Sequence, residues 1–120
     1  MGERIKNMNE KSCAVCRVKG AALEVCINGE IDHHTARAVR EKIDAAVYAQ
    51  KPRVLRLYLN HMRFMDSAGL GLIIGRVACA AEIGAEVELY GADARALKIF
   101  EMAGLSRMKG LCIMDEKGKR

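Results

Sequence analysis

The sequence lacks tryptophan, has few other aromatic residues and contains a single proline. Aromatic residues make up 4% of the 120 residues, and the net charge is +5. Proteins that bind single-stranded nucleic acids combine a basic groove with aromatic side chains on which bases stack. Because the aromatics are few and the basic residues are mostly scattered, the excess charge predicts a solvated basic surface and no nucleic-acid partner.

Long apolar runs and a secretion signal are also absent. No apolar run approaches the roughly 20 residues that a membrane span needs. Residues 1–12 are polar, whereas a signal peptide has an apolar centre. These features predict a cytoplasmic protein with no membrane partner. Residues 1–12 are expected to be a loose lead-in, and residues 116–120 a basic tail.

Five cysteines are present, an odd number, and their neighbours are largely apolar. This favours free thiols that act as small hydrophobic side chains. Cys13 and Cys16 form a CxxC pair, but the flanking residues are typical of a strand. A three-residue offset on a strand sends the two side chains to opposite faces. Since no second CxxC pair or Cys/His cluster is available, the sequence predicts neither a metal nor a cofactor.

Hydrophobic periodicity predicts one domain over residues 13–115 in the order β-β-α-β-α-β-α-β. In the first helix, Ala36, Val39, Ile43 and Val47 recur at helical spacing. The predicted strands span 13–18, 23–31, 53–60, 85–91 and 111–115, and the later helices 67–83 and 92–104. Strands that alternate with helices in this way predict an α/β fold with a mostly parallel or mixed sheet and right-handed crossovers.

Residues that begin and end helices support these boundaries. Thr35 or Asp32 can cap the first helix, and Asp93 the third. Gly84 and Gly104 can end the second and third helices in the left-handed conformation. The third helix is expected to bury a stripe made of Ala96, Leu97, Phe100 and Ala103.

The stretch FMDSAGLG (64–71) joins the third strand to the second helix. It lies beyond the carboxyl end of a strand, as does GEIDHHT (29–35), and ligand sites in α/β sheets tend to lie at such ends. Catalytic motifs do not fit this stretch. A nucleophile elbow needs glycine where Met65 stands, and a phosphate loop needs a Lys-Ser/Thr pair that is missing. The sequence therefore predicts no enzyme.

Ser67 has two further interpretations. It can act as a helix cap, together with Asp66, which is worth about 1 kcal/mol. It can also be a substrate of another protein's kinase, because a helix N-terminus tolerates the about −1.5 to −2 charges of a phosphate.

Three blocks of the sequence together resemble the anti-sigma factor antagonists with a STAS domain: GEIDHHTA (29–36), FMDSAGLGLIIGR (64–76) and LKIFEMAGLSRM (97–108). The resemblance implies a STAS fold, with a mixed four- to five-stranded sheet and helices packed mainly on one side. It also implies a partner, an anti-sigma factor that is a serine kinase. Binding of the unmodified antagonist releases a sigma factor, phosphorylation turns binding off, and a serine phosphatase restores it.

The resemblance implies that Ser67 is the phosphorylated residue. The partner-binding residues that it implies are Gly29, Glu30, Asp32, His33, Asp66, Ser67, Ala68, Gly69 and Arg76. Arg76 is expected to be a solvated helix residue. Relatives often carry a second hydroxyl where this chain has Ala68, so Ser67 is the one candidate acceptor in the motif. Two alternatives remain open: a small-ligand or nucleotide-binding STAS module, and a structural STAS subunit of a larger signalling assembly.

Overall fold

Strands and helices alternate along the chain after an initial hairpin. The computed structural model describes residues 12–64 and 67–114. Its elements are β1 (Ser12–Lys19), β2 (Ala22–Ile31), α1 (Ala36–Gln50), β3 (Val54–Phe64), α2 (Ser67–Glu82), β4 (Glu86–Tyr90), α3 (Ala94–Met102) and β5 (Leu111–Ile113), with a short 3-10 helix at Leu105–Arg107. The predicted order of elements is confirmed. Ser12, which was expected to belong to the lead-in, is the first residue of β1. The rest of the lead-in (1–11), the basic tail, Met65 and Asp66 lie outside the described residues.

The five strands form one mixed sheet in the order β1-β2-β3-β4-β5. The first two strands pair antiparallel through the hairpin, in which Lys19 faces Ala22. The other three neighbouring pairs are parallel. Parallel neighbours need a crossover, and α1, α2 and α3 supply it between successive strands.

All three helices pack on one face of this sheet. Alternate strand residues point to that face and are buried with the apolar stripes of the helices in a single cluster. The strand members include Leu23, Val25, Ile27, Leu55, Leu57, Val87 and Leu89, and the helix members Val39, Ile43, Val47, Ile73, Val77, Ala96 and Phe100. The expectation of helices mainly on one side is therefore confirmed.

The third strand is four residues longer at its carboxyl end than the sequence indicated. Its pairing with β2 shifts after Cys26–Tyr58, and the next pair is Asn28–His61, so β3 carries an extra residue. This bulge breaks the inward alternation, which runs through Leu59 and resumes at Met62. The prediction ended the strand at residue 60 because period-2 alternation stops there.

The buried stripe of α3 is narrower than expected. Ala96 and Phe100 are buried, but Leu97 is 39% exposed and Ala103 is exposed beyond the helix end. A nine-residue helix makes only about two and a half turns, so one i, i+4 pair occupies most of its contact with the core. The predicted cap is confirmed, since the Asp93 carboxylate accepts a hydrogen bond from the Ala96 N–H at 2.8 Å.

The opposite face of the sheet carries a row of ion pairs across four strands. Arg17, Glu24, Arg56 and Glu88 are direct cross-strand neighbours. The pairs measure 2.6 Å from Arg17 to Glu24, 3.4 Å from Arg56 to Glu24 and 3.1 Å from Arg56 to Glu88. Cross-strand pairs of opposite charge stabilise a sheet, so this row favours the observed register.

Two stacked tyrosines complete the row. The rings of Tyr58 and Tyr90 lie 4.9 Å apart, and their hydroxyls donate to Glu24 and Glu88 at 3.0 and 2.7 Å. Burial and the bond to Glu88 raise the pKa of Tyr90 to about 12. Glu24 is only 6% exposed. Its pKa lies below the usual range, first because Arg17 donates to it and then because Tyr58 and Arg56 do.

We expect Glu24→Gln to lower the free energy of unfolding at neutral pH, and this loss to shrink in acid. The folded-state pKa of Glu24 is depressed, so its contribution is complete above the ordinary glutamate pKa of about 4.3 and declines as the pH falls below that value. Urea unfolding of both proteins between neutral and acidic pH measures the difference. Glu86→Gln is the matched control, since Glu86 is exposed on β4. If the difference in unfolding free energy between wild type and Glu24→Gln does not change with pH, the depressed pKa of Glu24 is contradicted.

Candidate functional site

The second and third strands end side by side at the same edge of the sheet. They run parallel, and their last paired residues are Ile31 and Phe64. The turn at residues 32–35 follows β2, and Ser67 follows β3 by three residues. The fold therefore brings the segments GEIDHHT and FMDSAGLG to one edge, as the sequence predicted.

Ser67 is the first residue of α2 and is exposed to solvent. Ala68 is half-buried and Gly69 is buried, so Ser67 is the most exposed of the first three residues of α2. The first turn of α2 contains no acidic residue. Free N–H groups and the helix dipole give such a helix start a partial positive charge, and no carboxylate within that turn offsets it.

Hydrogen bonds from Asp32 and Thr35 fix the turn that precedes α1. The Asp32 carboxylate accepts from the N–H groups of His34 and Thr35 at 2.9 and 3.0 Å. The Thr35 hydroxyl accepts from the Asp32 N–H and donates to the Glu30 carbonyl, both at 3.0 Å. Thr35 makes no side-chain bond into α1. Asp32, the other expected cap, accepts from the N–H groups two and three residues on, and its carbonyl accepts from the Ala36 N–H at 2.8 Å, so it makes the contacts of an N-cap.

The same contacts set the charge of Asp32. Its pKa is held below the usual range, first by the bond from the Thr35 N–H and also by the bond from the His34 N–H. Asp32 is therefore ionised at neutral pH, and it presents a negative charge at this edge in a fixed position.

Gly29, Glu30 and His33 complete the edge. Gly29 has a φ of 96°, in the left-handed region that favours glycine. Glu30 forms a solvent-exposed ion pair with Arg63 at 3.5 Å. The His33 and His34 rings lie 4.0 Å apart on the exposed turn. Arg63 was missed from the sequence because the predicted strand ended three residues before it.

Arg76 does not lie on this surface, and the expectation that it is solvated was wrong. It is 4% exposed, and its Nε lies 2.9 Å from the Asp44 Oδ1 of α1. The two atoms are close, but the N–H does not point at the oxygen, so this is an ion pair without a hydrogen bond. The signal was present in the sequence: the buried positions of α2 recur at Gly69, Ile73, Arg76 and Ala80, which is helical spacing.

The described residues 12–64 and 67–114 contain no group of three or more His, Cys, Asp or Glu side chains that could hold a metal ion. Within the same residues, no helix is both long enough and apolar enough to cross a membrane.

The sequence matches the STAS domain family over residues 14–114. The chain belongs to the STAS family. This STAS domain is 34% identical to the anti-sigma F factor antagonist of Paenibacillus polymyxa over 86 residues. The aligned region covers 72% of this chain and 74% of that protein. It is 30% identical to the anti-sigma-B factor antagonist of Bacillus subtilis over 96 residues, and this alignment covers 80% of this chain and 86% of that protein. The resemblance inferred from the three sequence blocks is thus confirmed.

Solved structures show the same fold. The anti-sigma factor antagonist SpoIIAA in its unphosphorylated form superimposes with a TM-score of 0.69 at 23% identity, covering 87% of this chain and 90% of SpoIIAA. The Bacillus cell fate determinant SpoIIAA in its phosphorylated form gives a TM-score of 0.65 at 24% identity, covering 87% and 93%. The five-stranded mixed sheet with three helices is therefore the STAS fold.

We expect breaking the buried ion pair to cost more stability than replacing it. Asp44→Ala leaves a buried guanidinium without its counter-charge and is expected to cost about 3 kcal/mol, whereas the double variant Asp44→Leu/Arg76→Met replaces both charges with apolar side chains and changes stability by about 1 kcal/mol or less. Urea unfolding measures both. Glu41→Ala, which breaks an exposed pair with Arg37, is the control and is expected to cost about 0.5 kcal/mol or less. Equal losses for the two variants contradict the argument.

Proposed function

We propose that this STAS domain is an anti-sigma factor antagonist that binds an anti-sigma factor serine kinase and is switched off by phosphorylation at Ser67. The observation that carries the proposal is the solvent-exposed Ser67 at the start of α2, at the same edge of the sheet as the turn at residues 32–35. The names of the relatives support the antagonist role. SpoIIAA, which shares the fold, is known in phosphorylated and unphosphorylated forms.

The start of α2 suits a phosphate acceptor. A phosphate brings about −1.5 to −2 charges, and a helix N-terminus favours negative charge through its free N–H groups and dipole. Because no acidic residue lies in the first turn of α2, the modified domain is expected to stay folded. Phosphorylation then acts on binding and leaves the fold intact.

The proposed binding surface consists of the sheet edge on both sides of Ser67. Its members are Gly29, Glu30, Asp32, His33, Asp66, Ser67, Ala68 and Gly69. Gly69 is buried and contributes backbone only, and Asp66 lies outside the described residues. Arg76 is left out because it is buried against α1.

Phosphorylation changes the charge of this surface at its centre. Asp32 is ionised, and Glu30 contributes a second carboxylate that Arg63 offsets. When the kinase has transferred phosphate to Ser67, the hydroxyl in its active site is replaced by a doubly charged group. Like charges brought together at an interface cost several kcal/mol of binding free energy. A serine phosphatase that removes the phosphate restores binding. In this scheme ATP belongs to the kinase, and the domain itself carries no cofactor.

We expect one phosphate per chain after incubation with ATP and an anti-sigma factor kinase, and none on Ser67→Ala. Intact mass spectrometry measures the added phosphate. Ser106→Ala is the matched control, because Ser106 is also exposed but lies on the 3-10 helix after α3. Transfer that persists in Ser67→Ala and disappears in Ser106→Ala contradicts the assignment of the acceptor.

Binding should follow the charge at position 67. Ser67→Ala is expected to keep the affinity for the kinase, whereas Ser67→Glu lowers it by about tenfold or more through like-charge repulsion. Titration calorimetry with the purified kinase measures both, and Ser106→Glu adds the same charge away from the surface. Equal affinities of Ser67→Glu and Ser106→Glu count against the switch.

The ligand-binding alternative makes a different prediction for the isolated chain. A ligand that binds only the folded state raises the melting temperature with its concentration. The antagonist proposal expects no shift with ATP alone, without a kinase. A concentration-dependent rise in the melting temperature would instead favour a nucleotide-binding module.

A further inference from the structure

The contact between α1 and α2 holds a cysteine between two hydrogen-bond donors. Cys79 is half-buried in the last turn of α2, which ends at Glu82. Its Sγ accepts from Arg76 Nη2 at 3.7 Å and from the Tyr48 hydroxyl of α1 at 4.0 Å. Hydrogen bonds to sulfur are longer than those to oxygen because the atom is larger. Two donors from two helices thus converge on one thiol.

The guanidinium beside this thiol has unused donors. Arg76 is 4% exposed, and its Nε and Nη1 make no hydrogen bond with the described residues. A buried N–H group without an acceptor is costly. Asp44 supplies charge but not an aligned acceptor. An anionic sulfur, or an oxygen added to that sulfur, would accept more strongly from this guanidinium, whose Nη2 already donates to Sγ.

We propose that Cys79 is a redox-modification site that reacts with hydrogen peroxide or another hydroperoxide. The thiolate attacks one peroxide oxygen, an S–O bond forms and the O–O bond breaks. The departing hydroxide takes a proton from solvent and leaves as water. The sulfur loses two electrons and becomes a sulfenic acid, while the peroxide gains two. Arg76 and Tyr48 donate to the negative charge on the sulfur before the attack.

Cys16, Cys26 and Cys112, the other cysteines whose side chains the structure describes, lack this arrangement. Cys26 is exposed on the sheet face away from the helices, which corrects the expectation of apolar surroundings for every cysteine. Burial raises the pKa of the Cys16 thiol, which keeps it protonated and unreactive. Cys112 is half-buried in β5. If exposure alone decided the rate of reaction with peroxide, Cys26 would react fastest. If the hydrogen-bond donors Arg76 and Tyr48 decide it, Cys79 reacts fastest.

Modification at this position also affects the pairing of the two helices. An oxygen on the Cys79 sulfur competes with Asp44 for the Arg76 guanidinium, and that ion pair joins α2 to α1. The hydrogen bond to Cys79 raises the pKa of Tyr48, so the phenol keeps its proton and remains a donor at neutral pH.

The test compares rates of sulfenic acid formation at individual cysteines in the full chain. The protein is treated with dilute hydrogen peroxide in the presence of dimedone, which traps sulfenic acids, and digested with trypsin. Cleavage after Lys and Arg places Cys26, Cys79 and Cys112 on separate peptides, so mass spectrometry follows each one. Wild type is compared with Arg76→Met and Tyr48→Phe, and circular dichroism checks that each variant is folded.

We expect Cys79 to be labelled faster than Cys26 in wild type. Arg76→Met should slow labelling of Cys79 by about tenfold, the effect of losing one hydrogen bond to a charged group, and leave Cys26 unchanged. Tyr48→Phe should slow it by a smaller factor, and because Tyr48 is 47% exposed this variant tests the proposal even if Arg76→Met unfolds. The proposal is overturned if Cys26 reacts faster than Cys79, or if neither variant changes the rate at Cys79.

Discussion

The parallel pairing of β2 with β3 is the constraint on which the rest of the molecule depends. It brings the ends of two strands, Ile31 and Phe64, to one edge of the sheet. The turn of Asp32 and the start of α2 are neighbours only because of this register. A bulge in β3 between its pairs with Cys26 and Asn28 lets the strand continue to Phe64. Bulges often lie beside functional sites, where they redirect side chains.

A second constraint fixes the helix that carries Ser67. The Arg76–Asp44 pair joins α2 to α1 in a mostly apolar contact. A buried ion pair adds little net stability relative to apolar packing, but it disfavours arrangements in which either charge loses its partner. The ion pair, in addition to the apolar packing, therefore fixes the rotation of α2 about its axis and with it the exposed position of Ser67.

The sequence predicted the elements whose signals are local. The helical spacing of Val39, Ile43 and Val47, and the caps at Asp93 and Gly104, depend on neighbouring residues only. The extension of β3 was missed because a bulge is a property of two strands in register, not of one. The burial of Arg76 could be inferred from its place in the apolar stripe of α2, but its partner Asp44 could not, since their contact depends on how two helices pack. The position of Ser67 at a helix start was predictable from the strand–helix boundary, whereas the hydrogen bonds of Asp32 required the folded turn.

The antiparallel first strand has a practical consequence. Because β1 runs against β2, its first residue, Ser12, pairs with Gly29 at the edge that carries Ser67. Any segment joined ahead of Ser12 starts beside that edge, and β5, parallel to β4, ends on the same side of the sheet. An affinity tag or fused domain attached at either end of the fold therefore begins near the proposed binding surface. The hairpin turn at Gly20, at the far edge, is the more remote attachment point for a label or a surface linkage.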